Sequence, residues 1–113
     1  DNKYLIAQRN RNKHFAFYWE FPGGKVDRGE TFKIALEREI TEELSIGIKI
    51  YKKVSSQMHK DDKINVKVHY FLCEHSDGKI TLSEHEDLKW VSKKELYSYR
   101  MAPGDSKIIK FLV

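Results

Sequence analysis

The spacing of hydrophobic and polar positions changes several times along the chain, and each change marks an element. Tyr4, Leu5 and Ile6 open an apolar stretch over residues 3–9 that predicts a short strand. The chain opens Asp1-Asn2-Lys3, with no initiator Met, directly onto that stretch, so a further strand is expected before Asp1. After a basic loop, Phe15, Phe17, Tyr18, Trp19 and Phe21 make residues 14–21 strongly aromatic and predict a strand that stops at Pro22-Gly23-Gly24. Phe32, Ala35, Leu36, Ile40 and Leu44 then recur three and four residues apart, which predicts an amphipathic helix of about four turns over residues 31–44. Beyond Gly47 the period falls to two. Ile46, Ile48 and Ile50 form one half-buried strand, and Ile64, Val66, Val68, Tyr70 and Leu72 form another, joined through Lys60-Asp61-Asp62-Lys63.

Ser76-Asp77-Gly78 reads as a turn, and residues 88–91 as a short strand. Ser92 and Glu95 have the spacing of a reciprocal N-terminal cap and predict a short helix. Asp105 is the expected N-cap of a last helix carrying Ile108, Ile109 and Leu112. Trp90 and Phe111 are assigned to the core, as are most of the other aromatics, and Cys73 is read as a buried or inert thiol. Strands around one long helix, with helices at the end, give a mixed α/β or α+β sandwich.

Composition narrows the class. A chain of 113 residues that is 40% hydrophobic, 34% charged and 12% aromatic suits one globular domain, 1–113, and excludes disorder, collagen and repeat arrays. No apolar run approaches the ~20 residues that cross a bilayer, so no membrane partner is expected, and the lone Cys73 makes a reducing, cytoplasmic setting the expectation. One cysteine excludes an internal disulfide and a four-cysteine zinc site. The net charge of +4 favours anionic ligands but is too small to argue for stable nucleic-acid binding.

Where the charges lie matters more than their sum. Glu39, Glu42 and Glu43 fall within about 100° of one another on the predicted helix. All three sit in its last turns, where the helix dipole disfavours negative charge. A solvated acidic stripe balanced by Arg38 accounts for such a face at a cost of only ~0.2–0.5 kcal/mol per like-charge pair. A hard divalent cation, Mg²⁺ or alternatively Mn²⁺, would instead reverse the sign of every unfavourable pair.

The surrounding pattern decides between them. Gly24, Glu30, Arg38-Glu39, Ile40, Glu42-Glu43 and Ile46 closely resemble the Nudix box at residues 24–46, with Ser45 standing where that box usually has glycine. By the chain's own composition the charged and glycine positions coincide by chance in roughly one sequence in 10⁵. Trp19-Glu20-Phe21-Pro22-Gly23-Gly24-Lys25, Trp90-Val91 and Gly104-Asp105 extend the resemblance to the MutT-like nucleoside triphosphate pyrophosphohydrolase subgroup over nearly the whole chain.

That resemblance implies a Nudix-type α/β/α sandwich with a mixed sheet, acting as a Mg²⁺-dependent hydrolase on a nucleoside triphosphate, oxidised purine nucleotides such as 8-oxo-dGTP included. CTP or dCTP is the alternative substrate; a Nudix isomerase and a non-catalytic nucleotide-binding module are weaker alternatives. By position, Glu39, Glu42, Glu43 and the Gly23 carbonyl are metal ligands, with Glu84 as an additional one. Glu39 and Glu84 compete for the role of base. Gly24, Glu30 and Arg38 brace the box. Arg9, His14 and Lys25 are substrate contacts, and Asp105 reads the base edge. A monomer or weak homodimer is expected. At Ser45, the missing glycine predicts a slightly altered helix exit, with Gly47 supplying the backbone relief.

Overall fold

The computed structural model describes residues 3–60, 62–63 and 65–113. Asp61 and Ile64 of the predicted connection and strand, and Asp1 and Asn2 at the start, lie outside them. Tyr4, Leu5 and Ile6 belong to β1 (Lys3–Gln8), the middle strand of an antiparallel sheet in the order β2 (Trp19–Glu20), β1, β5 (Asp87–Ser92). The register sets Tyr4 opposite Val91, Leu5 opposite Trp90 and Ala7 opposite Leu88. Alternation therefore sends Tyr4, Ile6 and Val91 to one face and Leu5 and Leu88 to the other.

Each face has its own core. Ile6 and Val91 join Trp19, Tyr70, Leu96, Met101, Ile108, Ile109 and Leu112 beneath the C-terminal segments. On the opposite face Leu5 and Leu88 pack against Ile40, Leu44 and Ile46. The predicted helix is α1 (Phe32–Leu44), which starts at Thr31, whose Oγ1 accepts from the Ile34 amide. Residues on either side of Lys60-Asp61-Asp62-Lys63 form a second antiparallel pair, β3 (Gly47–Lys60) with β4 (Asn65–Asp77). The fold class is thus α+β, as the sequence predicts. Named strands pair antiparallel, and among the described residues the parallel element is a single bridge between Trp19 and Met101.

Several expectations are corrected. Residues 14–21 form not one strand but a loop ending in the two-residue β2, with Phe15 and Phe17 at φ 56° and 66°. Backbone bonds from the Phe17 amide to the Arg9 carbonyl and from the Arg9 amide to the Tyr18 carbonyl close that loop. β3 continues ten residues beyond Ile50, because pairing with β4 satisfies its backbone although Lys52, Lys53, Ser55 and Ser56 break the apolar alternation. Ser76 and Asp77 extend β4, leaving Gly78 as the bend. Trp90 is 48% exposed on edge strand β5 and Phe111 49% exposed near the C-terminus, so neither belongs to the core. Ser92 and Glu95 do form the reciprocal cap, at the start of α2 (Lys93–Leu96). Asp105 is no N-cap: it lies inside α3 (Pro103–Ser106), whose N-cap is Ala102, and a 3₁₀ turn (Ile109–Phe111) replaces the predicted last helix.

Ser45 takes the left-handed conformation itself, at φ 61° and ψ 32°, and its amide still donates to the Thr41 carbonyl. Gly47 does not relieve it. It begins β3, where a Cβ would stand 2.6 Å from Asp77 Oδ1.

Candidate active site

Helix α1 and the loop before it are tied together by Arg38. Its Nε donates to Glu30 Oε2 at 2.7 Å and its Nη2 to Glu30 Oε1 and the Lys25 carbonyl, both at 2.9 Å. Nη1 reaches Glu39 Oε1 at 3.2 Å and Glu42 Oε1 at 3.1 Å. A planar guanidinium can serve so many acceptors because its donors point in fixed, divergent directions. Glu30 also accepts from the Asp27 amide; Arg38 first, and that amide second, hold the Glu30 carboxyl down at about 2. Gly24 packs on the same assembly so closely that a Cβ there would fall 1.5 Å from Glu39 Oε2.

Above this assembly opens a cleft of about 420 Å³. Arg9, Lys13 and Lys25 contribute cations to its lining, and Glu20, Glu39, Glu43 and Glu84 contribute carboxylates. Gly23, Gly24, Asp27 and Arg38 complete it. Five of the residues singled out for metal or phosphate contact, Arg9, Lys25, Glu39, Glu43 and Glu84, thus share one cavity with Gly23. Glu42 is half exposed and turned to Arg38, outside the lining. His14 is also outside it: its carbonyl accepts from Arg9 Nε, and its ring lies 4.1 Å from that of Phe15.

Glu43 carries the most unusual carboxylate. Its Oε1 is buried without a hydrogen-bond partner. Burial first, then the like charges of Glu20, Glu39 and Glu84, push its carboxyl up to about 7 although His85 opposes the shift. Burial also raises Glu39. Glu20 goes the other way. Burial would raise it, but hydrogen bonds from His85 and Arg9 outweigh that cost, and it sits below the ordinary carboxylate range.

The loop carrying Glu84 is fastened to the end of α1. The Thr81 amide donates to the Leu44 carbonyl at 3.0 Å and Ser83 Oγ to the Glu43 carbonyl at 2.8 Å, filling carbonyls that a helix end leaves open. The donor set fits a hard divalent cation: anionic oxygens face one cavity, and one of them is buried and unpartnered. Among the described residues no three acidic, His or Cys side chains converge on a single point. Arg38 draws Glu39 and Glu42 to itself, as the distances above show.

Asp105 lies elsewhere. It is 7% exposed and outside the cleft lining; Oδ2 accepts from the Phe21 amide at 2.9 Å and Oδ1 from the Tyr70 hydroxyl. Burial pushes its carboxyl up to about 6. His59 Nε2 lies 3.1 Å from the same hydroxyl.

Sequence reasoning passed over Glu20, Lys13 and His85. Glu20 was visible only as part of the Trp-Glu-Phe-Pro-Gly-Gly segment, and a single His next to Glu84 carries no spacing signal of its own.

An α+β domain whose helix brings Glu39 and Glu43 to a cleft also lined by Arg9, Lys13 and Lys25 suits the hydrolysis of phosphoanhydrides, whose oxygens need both cations and metal-holding carboxylates. The NUDIX domain model matches residues 1–112, and the chain belongs to that family as a MutT-like Nudix hydrolase. It is 34% identical over 110 residues to a CTP pyrophosphohydrolase of Escherichia coli, covering 97% of this chain and 82% of that one. An 8-oxo-dGTP diphosphatase of Buchnera aphidicola is 32% identical, with 96% and 82% covered. Among solved structures, a MutT NUDIX hydrolase from Burkholderia pseudomallei superposes with a TM-score of 0.90 at 25% identity, covering 100% of this chain and 90% of that one.

Proposed function

We propose that the protein hydrolyses a nucleoside triphosphate to the monophosphate and pyrophosphate with Mg²⁺ as cofactor and Mn²⁺ as a substitute. The observation that carries this reading is the cleft whose lining brings Glu39, Glu84 and Glu43, with its buried unpartnered oxygen, together with Arg9, Lys13 and Lys25. Glu39, Glu43 and Glu84, with Glu42 and the Gly23 carbonyl, would hold the metal, which when bound screens phosphate charge and stabilises the leaving pyrophosphate. Arg9 and Lys25, and with them Lys13, neutralise the phosphate oxygens, Arg9 as a planar fork and the lysines as point charges. Water attacks phosphorus, the anhydride P–O bond breaks toward pyrophosphate, and the proton of the water passes to a carboxylate, Glu39 or Glu84. Arg38 and Glu30 fix the approach of the box loop to α1, so the carboxylates and cations keep their places.

The substrate class follows from the relatives whose names specify CTP and 8-oxo-dGTP. An oxidised purine triphosphate is the first reading. CTP is the second, favoured by the 34% identical relative. The test is incubation with Mg²⁺ and a panel of CTP, dCTP, GTP and 8-oxo-dGTP, with monophosphate and pyrophosphate measured together. Turnover should vanish on chelation, and Glu39→Gln should lower it by about 10² or more. Lack of turnover on every triphosphate would overturn the proposal; full activity in Glu39→Gln would remove Glu39 from the metal face.

A further inference from the structure

Beneath the cleft floor a histidine stands outside the roles assigned so far. The His85 side chain is only 6% exposed and is not part of the cleft lining, so it cannot touch a substrate there. Its Nε2 nevertheless lies 2.9 Å from Glu20 Oε2 and 4.0 Å from Glu43 Oε1. A carboxylate accepts, so Nε2 donates to Glu20. The other Glu20 oxygen, Oε1, accepts from Arg9 Nη1 at 2.5 Å, and Arg9 Nε donates to the His14 carbonyl at 2.8 Å. A continuous chain of charge-assisted bonds therefore runs from a buried imidazole to a cation on the cleft wall.

The backbone around His85 is anchored on both sides. Before it, Ser83 Oγ donates to the Glu43 carbonyl; after it, the Glu86 amide donates to the Gln8 carbonyl at 2.9 Å. Arg11 locks the loop further with bonds to both Glu86 oxygens at 2.9 and 3.1 Å. His85 Nδ1 is buried without a hydrogen-bond partner, an unfavourable arrangement for a side chain that served only to fill space.

We propose that His85 is a positioning residue that holds Glu20, and through Glu20 the Arg9 guanidinium, in the orientation that receives the substrate phosphates. The proposal rests on the phosphate role given to Arg9 above. Its effect belongs to binding: with His85 removed, Glu20 loses one of its two donors, swings on Arg9, and leaves the guanidinium misaimed, whereas Glu43, whose Oε1 lies 4.0 Å from Nε2, has no hydrogen bond to the imidazole to lose.

The test is a double-mutant cycle read by calorimetric binding of two analogues, of 8-oxo-dGTP and of CTP, each with a methylene group between the α and β phosphorus atoms and so not needing hydrolysis. The cycle is run on whichever the wild type binds more tightly, and a wild type that binds neither would overturn the proposal. His85→Leu, of similar bulk but without a donor, should weaken binding about tenfold, the scale of one charge-assisted hydrogen bond. His85→Gln, which can offer an amide N–H to Glu20, should stay within about threefold of wild type by the same reasoning. Added to Glu20→Gln, the His85→Leu change should weaken binding by less than about twofold, because the two residues act in series. Any turnover should show the loss in KM with little change in kcat.

Binding by His85→Leu equal to wild type would overturn the proposal. So would better binding by His85→Leu than by His85→Gln, the order expected of simple packing, or full multiplication of the two losses in the double variant. Thermal unfolding of each variant checks that the comparison is made on folded protein, and the Gln variants keep the cycle readable if Leu is not accommodated. A wild type that binds the analogue and obeys the cycle, yet hydrolyses no triphosphate, would sink the proposed reaction and leave this inference standing.

Discussion

At the scale of single residues, the box is packed so closely that one extra atom displaces a side chain. Gly24 is the sharpest instance, since a Cβ would fall 1.5 Å from Glu39 Oε2 and 2.3 Å from its carboxyl carbon. The obstructed group is the far end of a flexible side chain, which can swing aside at little cost. Gly24→Ala should therefore lower stability by less than about 1 kcal/mol, well below the cost of a core defect. Glu39, however, would be displaced from Arg38 and from the cleft. A side chain turned away can neither hold a cation nor orient water, so triphosphate hydrolysis should fall by about 10². Urea denaturation and steady-state kinetics on the same preparation separate the two effects. A variant that loses stability and activity in proportion would show that Gly24 serves the fold rather than the placement of Glu39.

At the scale of elements, the exit of α1 is where strain and anchoring meet. A serine at φ 61° costs roughly 1 kcal/mol relative to glycine, because Cβ crowds the following carbonyl. Against that, the Ser45 hydroxyl accepts from Thr81 Oγ1 at 2.9 Å, an exposed bond of small net value. Ser45→Gly should thus stabilise the protein by about 0.5–1 kcal/mol, read as a raised urea midpoint at unchanged slope. Destabilisation would mean that the Thr81 bond outweighs the backbone strain. The same helix shows why parts of the fold were legible. Leu36, Ile40 and Leu44 repeat at helical spacing, so the sequence alone locates α1 and puts Glu39, Glu42 and Glu43 on one side of it, and the Thr31 cap confirms its start. Residues 9–18 offered no such guide. Their aromatics imitate a strand, while the backbone turns through Phe15 and Phe17 at positive φ, a conformation that no phenylalanine advertises. Lysines and serines interrupt the alternation of β3, so its pattern ends early in the sequence and its pairing with β4 reveals its length. The link from His85 through Glu20 to Arg9 joins residues 85, 20 and 9, a juxtaposition that tertiary structure makes and local spacing cannot announce.

At the scale of the whole molecule, a nearly even charge balance is gathered into one cleft where carboxylates and cations interleave, as the Arg9–Glu20 and Arg38–Glu39 pairs show. No helix among the described residues is long and apolar enough to cross a membrane. Holding the parts together is a buried acid that bridges three of them. Asp105, within α3, accepts from the Phe21 amide just after β2 and from the Tyr70 hydroxyl of β4. Its carboxyl lies at about 6 in the fold against an ordinary 3.8, with burial as the first cause, while the Tyr70 and Phe21 bonds pull the other way. Because the folded value is raised, the folded state binds the proton more tightly than the unfolded chain does. Asp105 therefore favours folding below about pH 4, and its contribution declines as pH rises through the window from about 4 to 6. Two units correspond to roughly 2–3 kcal/mol at most. Asp105→Asn presents a neutral group of the same shape, with one acceptor and one donor end as in the protonated acid. Other carboxylates with lowered values, such as Glu30 and Glu86, impose the opposite trend on both proteins and cancel in the difference. The stability of Asp105→Asn relative to wild type should therefore rise by about 2 kcal/mol between pH 4 and pH 7 and stay flat above it, as measured by urea denaturation at each pH. A difference that does not change with pH would mean that Asp105 keeps its ordinary acidity, and that the Tyr70 and Phe21 bonds fully offset its burial.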